Sequence, residues 1–232
     1  FEGCKKITSL DVSHWDTSNV EDMQGTFANC EVLTKLDVSN FDTSKVKTMK
    51  YLFQACMKVT TLDVSKWNTS NCENMNAMFA WCYALTSLNT NSFNTTNVNN
   101  MGVMFYYCTA LKSLDLSSFN TSNVTDMGSM FDGCKNLTSV NVSSFDTSKV
   151  TSMGNLFCDC NNLTSIDISS FDTSNVKLMQ GMFARNYNLK TIYVSELWSL
   201  KSVTDNGRWM FDNCTNLRGQ SGNAYNGATS NM

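Results

Sequence analysis

Proline is absent from this chain, and histidine occurs once, as His14. A lone imidazole leaves no histidine constellation for acid–base or nucleophilic chemistry. The eleven glycines include no phosphate-cradling loop, and no carboxylate pair stands apart from the regular series described below. These absences argue against an enzyme. No apolar run approaches the roughly 18 residues that a membrane-spanning helix needs. Charge is sparse and nearly balanced, with 17 Lys and Arg against 20 Asp and Glu. The basic residues are scattered, so no electrostatic footprint for nucleic acid is present. A signal peptide is also missing. However, the chain begins at Phe1, without an initiator methionine and inside a repeat, as a processed or trimmed piece would, so this says nothing about the parent protein.

What remains is rich in Asn, Ser and Thr, a composition that suggests disorder. The 42% of apolar residues recur at regular intervals, which argues against it. Leu114 to Leu137, LDLSSFNTSNVTDMGSMFDGCKNL, shows the unit, and its pattern returns every 26 residues. A phenylalanine column runs Phe27, Phe53, Phe79, Phe105, Phe131, Phe157 and Phe183. Three residues after each of the first six stands Cys30, Cys56, Cys82, Cys108, Cys134 and Cys160, whereas Asn186 follows Phe183. Phe1/Cys4 opens the series, and Phe211/Cys214 closes it two residues late. A second column runs Leu10, Leu36, Leu62, Leu88, Leu114, Val140, Ile166, Ile192, and a third runs from Met23 to Met179.

Within one unit the period changes. Leu114-Asp115-Leu116-Ser117 alternates, as a short strand does. Val124, Met127, Phe131 and Cys134 fall at a helix-like spacing, and Asn120 to Asn123 between them favours a turn. Each unit therefore reads as strand, turn, then a short helix or helical turn, with a second strand at Val124–Met127 as the alternative. One unit cannot stand alone. Ordering its backbone costs roughly 1–2 kcal/mol per residue, while about eight inward side chains return at most roughly 1.5–3 kcal/mol each. Stability must come from stacking. The expected organisation is a solenoid of about eight to nine coils over residues 1–217, atypical from about 192, followed by a polar Gly/Asn-rich cap or tail over 218–232.

The motifs LTSLDVS-like strand, [FW]-[DN]-T-S-x-V, and M-x-x-M-F-x-x-C-x-x-L resemble the BspA-like, DUF285-type surface repeats, a branch related to leucine-rich repeats. The resemblance covers roughly Phe1 to Leu217. It implies a right-handed solenoid on secreted or cell-surface proteins often assigned to adhesion, and with the unit read above the expected fold class is α/β, a leucine-rich-repeat-like solenoid with a parallel strand plus a short helix or helical turn in each 26-residue coil. No catalytic residue and no cofactor comes with it.

Four series invite a functional reading. The cysteine column suits small buried side chains. Its spacing resembles no zinc motif, and only Cys158 lies outside the apolar pattern. The acidic ladder Asp11, Asp37, Asp63, Asn89, Asp115, Asn141, Asp167 would repel itself across coils, as a cation-binding face would, but solvation is the simpler account. The threonine ladder from Thr17 to Thr173 is the sort of array an ice-binding solenoid presents, although turn capping suits it better. Coil-to-coil differences point elsewhere: Tyr51, Met57, Trp81, Tyr83, Tyr106 and Tyr107 gather near the F-x-x-C turn as candidate partner contacts. The expected function is a non-enzymatic extracellular binding or adhesion module for a protein or glycan at a cell surface. The alternative is a structural subunit that stacks end to end with copies of itself.

Overall fold

The computed structural model describes residues 1–218, so the expected cap or tail from 219 onward lies outside the described residues. The coils stack in parallel. Six short strands pair in twos: β1 (Ser9–Leu10) with β2 (Lys35–Leu36), β3 (Ser113–Asp115) with β4 (Ser139–Asn141), and β5 (Ser165–Asp167) with β6 (Thr191–Tyr193). Each pair is parallel, and its register equals the repeat, as in Leu114 opposite Val140. Around Leu62 and Leu88 the same segment forms no strand. A second ladder of single parallel bridges climbs Asp22, Thr48, Asn74, Asn100, Asp126, Ser152 and Leu178.

The expected short helix is absent: the described residues contain no helix. Two consecutive β-turns per coil take its place. Met104 N–H donates to the Met101 carbonyl at 3.3 Å, and Cys108 N–H to the Phe105 carbonyl at 3.0 Å. The third residue of each turn is left-handed, Val103 at φ 61° and Tyr107 at φ 55°. Turns of about four residues return apolar side chains inward at nearly the helical spacing, which is why the sequence pattern points to a helix. Alternate N–H groups then point along the stack. Met101, Val103, Phe105 and Tyr107 donate to the carbonyls of Asp126, Gly128, Met130 and Asp132 in the next coil at 2.7–3.0 Å. A helix would consume these donors internally. Here they hold coils together.

The interior is one continuous apolar column. Phe27 to Phe183 are at most 1% exposed and stack ring on ring, with centroids 5.1–6.0 Å apart and planes within 14°. Burying each such ring contributes about 1.5–3 kcal/mol. Seven cysteines, Cys30 to Cys160 at the repeat interval and Cys214, line the same column, and the thiol of each donates to a carbonyl one coil back, as Cys108 Sγ does to Phe79 at 3.1 Å. That donor role explains the single exception. Asn186 is fully buried, and its Nδ2 reaches the equivalent Phe157 carbonyl at 2.7 Å. The last coil takes up its extra residues in two places: one before Ser199, whose carbonyl accepts from the Thr173 hydroxyl one residue later than in the other coils, and one near Asp205, whose carboxylate accepts from Met179 N–H at 2.8 Å in place of a backbone carbonyl.

Candidate binding ridge

The surface is built from the outer turns, and most of its polar series have local explanations. In the acidic ladder, every exposed Asp or Asn accepts from the N–H two residues on, as Asp63 does from Ser65 at 3.0 Å. The same contact recurs in the second Asp/Asn series, as in Asp42 with Ser44 at 2.9 Å. The Ser65 hydroxyl and amide hold the Asp63 carboxyl below the usual carboxylate range. These are turn-closing contacts.

The threonine ladder is not a surface array. Thr43 to Thr173 are at most 1% exposed, and each hydroxyl donates to a carbonyl in the next coil, Thr121 to Asp146 at 2.8 Å. This removes the array that an ice-binding reading needs. All ten cysteines are free thiols, nine of them buried. Burial pushes the Cys82 thiol up to about 12, so the column is inert as well as unpaired. Among the described residues, no group of three His, Cys, Asp or Glu could hold a metal ion, and no helix is long and apolar enough to cross a membrane.

The two left-handed positions in each coil form the ridge. One column runs Gly25, Tyr51, Ala77, Val103, Ser129, Asn155, Gly181. The other runs Gly3, Asn29, Ala55, Trp81, Tyr107, Gly133, Asp159, Arg185 and, after the insertion, Asn213. Glycine is the residue this backbone prefers, and a non-glycine side chain there costs on the order of 1–3 kcal/mol. Yet the ridge carries Tyr51, Trp81, Tyr107 and Arg185 in this conformation.

Four of the six expected contact residues meet. Trp81 and Tyr106 pack edge to face at 5.2 Å, as do Tyr83 and Tyr107 at 6.5 Å, and Tyr106 and Tyr107 lie tilted against each other at 4.7 Å. All four are half-buried except Tyr83, which is exposed. Tyr107 lies over Gly133, where a Cβ would meet its ring at 2.5 Å, and Lys135 Nζ sits 5.9 Å from the same ring. The other two are placed differently from the expectation. Tyr51 makes no ring pair with the four among the described residues, and its partner is Lys50 Nζ at 4.7 Å. Met57 is half-buried beside Cys56 at the edge of the core column.

The patch continues into residues that the sequence did not single out as a group. Asp132 follows Tyr106 in its column, is 6% exposed, and has one carboxylate oxygen, Oδ1, without a hydrogen-bond partner. Burial raises its pKa to about 6 against the opposing pull of Arg185. Arg185 Nη2 donates to Cys158 Sγ at 3.3 Å. Asp132 and Cys158 stand 26 residues apart in one column, so sorting residues by column is the signal that would have found them.

The family described as "Mycoplasma protein of unknown function, DUF285" matches the chain twice, over residues 1–114 and 108–225. Among solved structures, the crystal structure of a leucine-rich repeat protein from Bacteroides ovatus is 18% identical to it. That similarity covers 94% of this chain and 79% of the other, with a TM-score of 0.31. No curated protein matches the chain.

Proposed function

Since the chain belongs to the DUF285 family of repeat proteins, we propose that it is a non-enzymatic binding module which engages a protein partner at a cell surface through the aromatic ridge. The observation that supports this reading is the cluster of Trp81, Tyr83, Tyr106 and Tyr107, two of which sit on left-handed backbone. Glycine at those two positions would relieve the backbone without touching the core. The large rings there pack on neighbouring rings and over Gly133, outside the central phenylalanine column. Trp and Tyr bury a large area at low entropic cost, the property that concentrates binding energy at protein interfaces. Lys135, over Tyr107, supplies a cationic edge, suited to a partner surface with a carboxylate beside an apolar centre.

The test is adherence of labelled protein to intact cells, before and after protease treatment of those cells. Protease is expected to abolish adherence. Trp81→Ala and Tyr107→Ala are each expected to weaken it at least about thirtyfold while leaving thermal stability near that of the parent. Adherence that survives protease, or that ignores both substitutions, refutes the reading.

A further inference from the structure

Beyond the aromatic patch, the ridge dips. A depression of about 280 Å³ lies where the coils of Phe157, Phe183 and Phe211 meet. Its cause is a local change of side-chain size. In the first left-handed column, Gly181 falls between Asn155 and, after the insertion, Trp209. Beside it Ala184 follows Cys158 and precedes Asp212 in their shared column. Gly181, Ala184 and Cys158 are buried and form the floor. The Asn155 amide oxygen lies so close over Gly181 that a Cβ there would collide with it. Trp209 stands at the rim, 67% exposed on left-handed backbone at φ 56°. Among the described residues this indole packs on no other ring, and it is held in a conformation that favours glycine.

The lining specifies the chemistry. Arg185 offers only donors and Asp212 only acceptors when ionised, while Asn155 offers both. A ligand whose edge carries groups that each donate and accept can satisfy all three at once. Asp132 and Asp159 both act on Arg185, Asp212 shares its wall, and Lys135 pairs with Asp159 at 3.5 Å, so three carboxylates stand against two cations and disfavour a phosphate or sulfate. The volume falls just below the usual range of about 300–1,000 Å³ for small-molecule pockets, which suits one ring rather than a peptide segment.

We propose that this depression is a saccharide subsite that takes one neutral pyranose, its C–H face on the Trp209 indole and its hydroxyls shared among Asn155, Arg185 and Asp212. The site adjoins the polar end of the patch through Cys158 and Arg185 but uses none of its four rings, and it does not depend on the protein partner proposed for them.

Saturation-transfer NMR and tryptophan fluorescence test the assignment on the whole chain. The probes are the methyl pyranosides of glucose, galactose, mannose and N-acetylglucosamine, methyl glucuronide, and N-acetyl-arginine methylamide. At least one neutral pyranoside is expected to bind saturably, with a dissociation constant on the order of 1 mM. Trp209→Ala should weaken it about tenfold, Trp209→Phe should hold it within about threefold, and Tyr83→Ala should leave it unchanged. Saturation by none of the neutral pyranosides overturns the proposal. So does saturation by the glucuronide or the arginine amide in their place, or pyranoside binding that Trp209→Ala leaves intact.

Discussion

The strand side and the turn ridge of a single coil obey different rules. On the strand side, the Thr and Asp/Asn series serve bonds that recur from coil to coil: Thr121 Oγ1 donates to the Asp146 carbonyl, and Asp63 accepts from the Ser65 amide. Where Asn replaces Asp, at Asn89, the contact is kept. The inward end of the turn follows the same rule, since Asn186 replaces a cysteine while still donating to the Phe157 carbonyl. On the ridge the backbone asks only for a left-handed φ, and the chain answers with Gly, Ala, Val, Ser, Asn, Asp, Tyr, Trp and Arg. A side chain tied into the stack is constrained by its neighbours' geometry. One on an outward turn is constrained by its own backbone cost, and so records other demands.

The widest separation between the two sides is expected from truncating rings. Phe105→Ala should cost about 3–5 kcal/mol in chemical denaturation, because it empties the middle of a dry ring stack. Trp81→Ala on the ridge should cost no more than about 1 kcal/mol. Equal losses would break the distinction between scaffold and presented surface.

Next comes Asp132, a ridge carboxyl whose pKa rises from 3.8 to about 6 through burial. Its folded value exceeds its unfolded one, so its contribution favours the fold below about pH 4 and is lost as pH rises through about 6. Asp132→Asn should therefore stabilise the protein at pH 7, by about 1–3 kcal/mol, and flatten the stability profile between pH 4 and 6. Thermal melts of both proteins across that window read the effect. A profile unchanged by the substitution would remove Asp132 as a source of strain.

Backbone exchange within the ridge gives a smaller pair of opposite signs. Gly133→Ala should lose about 1–3 kcal/mol, since the new Cβ meets the Tyr107 ring at 2.5 Å on a backbone at φ 76°. Val103→Gly should gain about 0.5–1 kcal/mol, because a β-branched residue at φ 61° is relieved. Matching signs in denaturant titrations would show that left-handed strain does not govern the ridge.

The smallest effect belongs to the exposed turn aspartates. The Asp63 carboxyl is held low by Ser65, so its contribution is present at neutral pH and lost as pH falls through its folded value. Asp63→Asn should leave the melting temperature at pH 7 nearly unchanged and slightly reduce acid sensitivity, since the amide oxygen closes the same turn. A large loss at pH 7 would give the ladder a role beyond turn closure.

The stacked columns were legible in the sequence because burial filters residue type at a fixed interval. Phe131, Met127 and Cys134 are inside, as their spacing implies. The helix was misread for a physical reason. Two successive turns return side chains inward nearly as often as a helix does, and Val103 or Trp81 at a third turn position carries no glycine to betray the left-handed backbone. Of the contact residues, Trp81, Tyr83, Tyr106 and Tyr107 meet as their columns suggest, whereas Tyr51 lies apart, since the next residues in its own column, Ala77 and Val103, carry no ring. The depression at Trp209 was illegible because the two-residue insertion moves that indole out of numerical register with Gly181 and Asn155.

The bonds between coils run along the stack, which has a mechanical consequence. Tension applied from one end to the other loads the coil interfaces in series, so every interface carries the whole force and the weakest gives way first. Between the coils of Phe183 and Phe211, the Met179 amide hangs on the Asp205 side chain rather than on backbone. A rotatable carboxylate thus takes up load there that a backbone carbonyl carries in the preceding coils, as Leu178 does for Met153.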